Sequence, residues 1–328
     1  MPVHYVLGLD IGGANLKAAH SEGVARSVPF ALWRNPNCLV DALRDLIKPF
    51  PKFNMLALTM TGESCDCYET KREGVASILD AVLTAADGIP IRIWTTSGCF
   101  VGPDEAKSHC IKTASANWLA LAAFAGRYVP TGSSLLIDIG STTTDIVHLL
   151  DGKPAHRSRT DWERLKSREL VYTGVRRTPV CALLAMEGTA ELFATTLDVY
   201  LLLGELRENV GDRNTADGRP ATRRAAHARL ARMIGADADF FSEQEAKKLA
   251  EEIYSRQLTA IRNAVIKVTS DHAMRPQAVV LSGEGEFLAR RAVPNIEIVS
   301  LSEKLGREIS QAACAYAVAK LAQESTFL

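Results

Sequence analysis

The segment LLIDIGSTTTDIV at residues 135–147 runs from an apolar stretch into Asp138. It then passes Gly140 and the hydroxyls of Ser141, Thr142, Thr143 and Thr144 to reach a second carboxylate, Asp145. Two chemistries suit that order. The segment is either a polar turn between strands with a satisfied Asp, or a turn whose backbone N–H groups and hydroxyls hold an anion. An Asp at a strand end repels a bare phosphate, so the second reading needs Mg²⁺ between them, an ion that keeps much of its hydration shell.

An internal echo favours the anion. LGLDIGGANLKAAH at 7–20 repeats the pattern, with Asp10 in the place of Asp138 and a shared Leu, Asp-Ile-Gly and closing His. Here Gly12 and Gly13 allow close backbone approach, Asn15 can donate, and Lys17 adds a positive charge. Two such hairpin turns facing each other across a cleft would clamp one phosphate-bearing ligand, with Asp10 and Asp138 organising Mg²⁺. A third piece, AVVLSGEGEFLAR at 278–290, passes from a strand through Ser282, Gly283, Glu284 and Gly285 into a helix. That arrangement holds an anion or a nucleoside edge in many α/β proteins, or it is a plain strand-to-helix connection.

The elements that must position these residues alternate along the chain. Strand-like runs stand at 4–11, 55–62, 91–98, 133–140, 277–285 and 296–301, with helical patterns at 38–47, 72–86, 103–126, 309–322 and across much of 179–271. This alternation predicts a mostly parallel sheet covered by helices. The stretch 209–223, rich in Gly, Asp, Asn and Thr, reads as a long loop. With 328 residues, two domains fit: residues 1–130 completed by a C-terminal helix within 307–328, and residues 131–306 with a helical insertion. The 38 basic residues balance 38 acidic ones, so no electrostatic footprint for nucleic acid appears. The arginines of RRAAHARLAR at 223–232 read as a solvated face. No apolar run reaches the ~18 residues of a membrane span. Seven scattered cysteines suit reduced thiols in a cytoplasm. Cys65 and Cys67 lack the second pair that a zinc site needs.

The three glycine-turn pieces, in this order, resemble the actin/Hsp70/sugar-kinase (ribonuclease H-like) superfamily, and IDIGSTTTDIV resembles its hydantoinase A/oxoprolinase branch. ALTMTGESCDCYETKREGV (57–75), SANWLALA (115–122), RELVYTGVRRTPV (168–180) and TADGR (215–219) are similar to a family tied to tetrahydromethanopterin-linked one-carbon transfer, which includes the archaeal methanofuran-biosynthesis synthase. The resemblance implies an α/β fold of two such domains around a central cleft. It also implies a synthase that joins aminomethylfuran diphosphate to the phenol of γ-glutamyltyramine or a related amine acceptor, releasing pyrophosphate.

On that reading Lys17 and the hydroxyls of Ser141, Thr142 and Thr143 meet the diphosphate. Glu63 and Asp66 are candidates for the base or for amine binding. Lys71 and Arg72 would meet substrate carboxylates or the diphosphate; the alternative for Glu63, Lys71 and Arg72 is solvated charge at a helix start. Arg176 would clamp an anion or pair with a structural carboxylate. Two other functions stay open: an ATP-dependent small-molecule kinase or oxoprolinase-like hydrolase, with ATP over Gly283–Gly285, and a non-catalytic nucleotide-binding protein. The oligomeric state is not legible.

Overall fold

The computed structural model describes residues 5–272 and 274–325. Its first sheet holds β1 (Val6–Ile11), β2 (Asn15–His20), β3 (Ala25–Pro29), β4 (Met55–Met60), β5 (Ile91–Trp94) and β6 (Phe100–Val101), in the order β3-β2-β1-β4-β5-β6. The second holds β7 (Ser133–Ile139), β8 (Thr144–Leu150), β9 (Lys153–Pro154), β10 (Leu170–Val171), β11 (Ala278–Ser282) and β12 (Glu297–Ser300). Its order is β10-β8-β7-β11-β12, with β9 also paired to β8. The expected strand start at His4, like residues 326–328 of the C-terminal segment, lies outside the described residues.

Both sheets are built alike. Each opens with an antiparallel hairpin, adds a third antiparallel strand beyond it, and places two parallel strands on the other side of the first strand. The expectation of a mostly parallel sheet is corrected to two mixed sheets. Tight turns join the hairpin strands, and such turns force antiparallel pairing.

The helices are α1 (Leu39–Ile47), α2 (Lys71–Ala86), α3 (Pro103–Ser108), α4 (Cys110–Thr113), α5 (Asn117–Ala125), α6 (Asp161–Ser167) and α7 (Val180–Leu184). They continue with α8 (Thr196–Leu203), α9 (Arg223–Met233), α10 (Glu243–Ser270), α11 (Glu286–Ala292), α12 (Leu301–Leu305), α13 (Arg307–Gln311) and α14 (Ala313–Ser325). Among the described residues no helix is long and apolar enough to cross a membrane. The single helix expected over 103–126 is three pieces. The Lys112 carbonyl accepts from Thr96 N–H at 2.7 Å, Ala114 is extended, and Ser115 is left-handed at φ 49°. Tertiary contacts override the helical pattern there.

Strand alternation decides what faces the middle. On β1, Leu7, Leu9 and Ile11 pack with α1 and α2, while Val6 joins a cluster that also takes Leu136 of β7, Val280 of β11 and the inner faces of α5 and α14. On β7, Leu135, Ile137 and Ile139 turn to the opposite side. By the period of two, Asp10 and Asp138 therefore point into the layer shared by the two sheets. Gly8, on that same face, lets α14 lie on the strand: a Cβ there would stand 1.9 Å from the Ala315 carbonyl oxygen.

Candidate active site

The two hairpin turns close identically. Gly12 N–H donates to Asn15 O at 3.0 Å, and Gly140 N–H donates to Thr143 O at 2.9 Å. Across the first hairpin Asp10 pairs in register with Lys17; across the second, Asp138 pairs with Asp145. The echo thus sets a carboxylate where its counterpart carries a lysine. The third glycine turn meets them from β11, where Ser282 is the register partner of Asp138 and Gly285 N–H donates to Ile139 O at 2.9 Å. Gly283 has φ 87°, and a Cβ there would fall 2.8 Å from Asp138 Oδ1. The carboxylate and the turn share a gap that only glycine leaves open.

Two chambers meet over these turns. The first, about 430 Å³, is lined by Asp10, Gly12, Gly13, Asn15, Lys17, Asp138, Gly140, Ser141, Thr142 and Thr143, with Asp66, Asp145, Asp161 and Arg164 and the aromatic walls Trp33, Trp118 and Tyr172. The second, about 520 Å³, shares Asn15, Lys17, Asp138, Gly140 and Ser141 and extends past Gly283 and Glu284 to Arg176, Asp212 and Arg213. Cys314 of α14 touches both.

Negative charge gathers at the strand ends. Burial pushes the Asp138 carboxyl up to about 6, with Asp145 adding to the rise and Lys17 opposing it. Burial raises Asp10 as well, again against Lys17. Burial pulls Lys17 down, yet Asp10 and weaker neighbours outweigh it and hold the ammonium above its usual value. Asp10 Oδ1 is buried with no protein partner. Asp145 is neutralised by Arg164 at 2.9 Å, whose guanidinium lies 4.0 Å from the Trp118 ring centroid.

Asp66 stands exposed at the rim of the first chamber. Glu63 is 1% exposed and sealed behind Ser115, 2.7 Å away. Lys71 pairs with Asp161 at 3.0 Å. Arg72 stays on the exposed face of α2, outside both chambers. Arg176 makes a two-point contact with Glu284 at 2.6 and 2.8 Å and reaches Asp212 at 3.1 Å, so its guanidinium is held by carboxylates of the protein. Gly285 supports the third turn without lining either chamber. Among the described residues no three His, Cys, Asp or Glu side chains are grouped to hold a metal, and Cys65, whose thiol burial pushes up to about 11, lines the chamber as a free thiol.

Sequence reasoning missed Asp161, Ser115, Arg164, Trp33 and Arg177. Thr160 and Glu163 form a capping box around α6, and that signature was available to place Asp161 at a helix start. Arg177, stacked 4.4 Å from the Trp33 ring centroid, had no comparable signal.

Two hairpin-led sheets of like order, each presenting a glycine turn to the same chambers, define the actin/Hsp70/sugar-kinase (ribonuclease H-like) class of α/β proteins. Acetone carboxylase, in a nucleotide-free structure, shares the fold with a TM-score of 0.53 at 11% identity, over 96% of this chain and 70% of its own. The hydantoinase/oxoprolinase family model matches residues 54–325. A (γ-glutamylaminoethyl)phenoxymethyl-furanyl-methanamine synthase from Methanocaldococcus jannaschii is 34% identical over 97% of this chain and 98% of its own length. A protein of the same name from Methanococcus vannielii is 32% identical over 57% of this chain and 89% of its own. The chain belongs to the hydantoinase/oxoprolinase family and groups there with these synthases, which are enzymes.

Proposed function

We propose that the protein is a transferase that condenses aminomethylfuran diphosphate with the phenol of γ-glutamyltyramine, or of a related amine acceptor, and releases pyrophosphate. The aryl ether formed is the linkage in the product for which the relatives are named, and it would serve methanofuran-type cofactor assembly for one-carbon transfer. The carrying observation is the pair of matched turns, Gly12–Asn15 and Gly140–Thr143, over one chamber with aromatic walls.

The furfuryl carbon tolerates positive charge, so stabilisation of the leaving group supplies most of the barrier reduction. Lys17, the Ser141, Thr142 and Thr143 hydroxyls and the turn N–H groups meet charge that develops on the departing diphosphate. The residues present fit Mg²⁺ at Asp10 and Asp138: Asp10 Oδ1 has no protein partner, and two carboxylates suit an ion that keeps several waters. Bound there, the ion would supply positive charge to the leaving group. Residues 1–130 with 307–328 would form one unit and 131–306 the other, closing on the ligand by a hinge. A cytoplasmic setting fits the free thiols of all seven cysteines.

Incubation with aminomethylfuran diphosphate, γ-glutamyltyramine and Mg²⁺ should yield pyrophosphate and the ether in equal amounts; the release of neither refutes the reading. The second chamber, open beside the Gly283 turn, favours a second reading, an ATP-dependent kinase or oxoprolinase-like hydrolase. Turnover of ATP without ether formation would replace the first reading with it.

A further inference from the structure

Ser115 adopts a left-handed backbone at φ 49°, a conformation that non-glycine residues keep only when their surroundings demand it. Its hydroxyl sits between two carboxyls, with Oγ 2.7 Å from Glu63 Oε1 and 2.7 Å from Asp161 Oδ2. A hydroxyl carries one proton. It can donate to one of these groups and must accept from the other, so one carboxyl is a neutral acid.

Glu63 is that acid. It is buried, its Oε2 has no partner, and burial raises it against the opposing effects of Ser115 and Lys71. An unpaired anion there would carry a large desolvation cost. Asp161 is the ionised member, because Lys71 Nζ stands 3.0 Å from its Oδ2. Proton and charge run in one line: Glu63 donates to Ser115, Ser115 donates to Asp161, and Lys71 pairs with Asp161 from the side.

On the synthase reading above, we propose that Asp161 is the base that takes the acceptor's phenol proton, with Ser115, Lys71 and Glu63 positioning its carboxylate. Only Oδ2 is engaged; among the described residues Oδ1 has no protein partner, and Asp161 lines the chamber that holds both turns. The chamber's other carboxylates are committed or loose. Asp145 pairs with Arg164, Asp10 and Asp138 stand at the strand ends beside Lys17, and Asp66 lies on the exposed rim.

The phenol O–H bond breaks and its proton passes to Asp161 Oδ1 as the phenolic oxygen bonds to the furfuryl carbon. The C–O bond to the diphosphate breaks, and its electron pair leaves with pyrophosphate. A free phenol, near ~10, is a far weaker acid than a carboxylic acid. Its oxygen becomes strongly acidic as the new C–O bond forms, so late in the step the carboxylate is base enough.

The test is steady-state kinetics of the full chain with Mg²⁺, comparing wild type, Asp161→Asn and Ser115→Gly. Asp161→Asn should lower kcat about 10²–10⁴-fold and leave KM for aminomethylfuran diphosphate within about two-fold. Acceptors with ring fluorines, whose phenols are more acidic, should recover rate in Asp161→Asn more than in wild type. Ser115→Gly relieves the backbone strain but takes a hydrogen bond from the buried Glu63 carboxyl, so its fold is checked by circular dichroism; the folded variant should lose about ten-fold in kcat through a loosened base. An unchanged kcat in Asp161→Asn overturns the assignment. So does a loss confined to KM for the diphosphate substrate, which would make Asp161 an ammonium-binding group, or a fluorine response equal to wild type. A wild type that makes no ether removes the synthase reading and this inference together; an active wild type with an unaffected variant removes the inference alone.

Discussion

Gly8→Ala joins the packing to the site. The new Cβ would stand 1.9 Å from the Ala315 carbonyl oxygen, 2.9 Å from its carbon and 3.0 Å from Ala319 N. All three are backbone atoms of α14, so no side chain can turn aside. A comfortable C···O contact is about 3.3 Å, so strand and helix must part by roughly 1.4 Å. That helix buries Ala313, Cys314, Ala317, Val318, Ala319 and Ala322 in the central cluster, and a rigid shift loosens all of them. Overpacking of a tight core costs about 1–3 kcal/mol, and contact with backbone atoms alone puts Gly8→Ala at the upper end. The damage also reaches the chemistry, since Asp10 lies two residues along the same face and Cys314 lines both chambers. Urea unfolding should show a lower midpoint with the slope m unchanged, and the folded variant should release pyrophosphate more slowly. A loss below about 0.5 kcal/mol, the range of an ordinary surface change, would refute the claim that α14 seats directly on β1.

Other perturbations separate packing from function. Arg229, expected from the sequence on a solvated face, is instead fully buried with Asp198, its Nη2 2.6 Å from Oδ1, so Arg229→Ala should cost about 3–5 kcal/mol by stranding a charge; calorimetry of the variant reads it, and a wild-type melting point would contradict it. His148 hydrogen-bonds Ser133 Oγ at 2.9 Å and stacks on His272 at 3.8 Å, and burial, aided by His272, lowers it from 6.5 to about 4. The unfolded chain therefore takes up a proton that the folded protein refuses, so this residue's contribution is full above pH 6.5 and is lost as pH falls towards 4. The stability difference between wild type and His148→Gln should shrink across that window, and a flat difference would contradict it. Arg72→Ala, on the exposed face of α2, should leave KM for both substrates within about two-fold; a ten-fold rise would place Arg72 in the substrate path.

What could be read from the chain follows from how local each cause is. Asp10 and Asp138 were legible because a buried strand that ends at a glycine turn is a local pattern, and its repetition exposed the matched hairpins. Asp161 was not, since its role depends on Ser115 and Lys71, brought to it from distant parts of the chain. The break in the helical pattern at 114–115 has the same origin: Ser115 turns left-handed in order to reach Glu63 and Asp161, and nothing in SANWLALA announces that bond. Arg176 read equally as an anion clamp or an ion-pair partner, and only the position of Glu284, a turn away on the second sheet, shows what holds it.

The proposed reaction requires the two hairpin turns to hold a substrate's diphosphate between them. A crystal structure of the protein with Mg²⁺ and pyrophosphate tests it most directly. Pyrophosphate is expected between Gly12–Asn15 and Gly140–Thr143, within hydrogen-bond reach of Lys17 and the Ser141–Thr143 hydroxyls, with the ion against Asp10 and Asp138. Pyrophosphate bound away from both turns, or an ion that ignores both carboxylates, would contradict it.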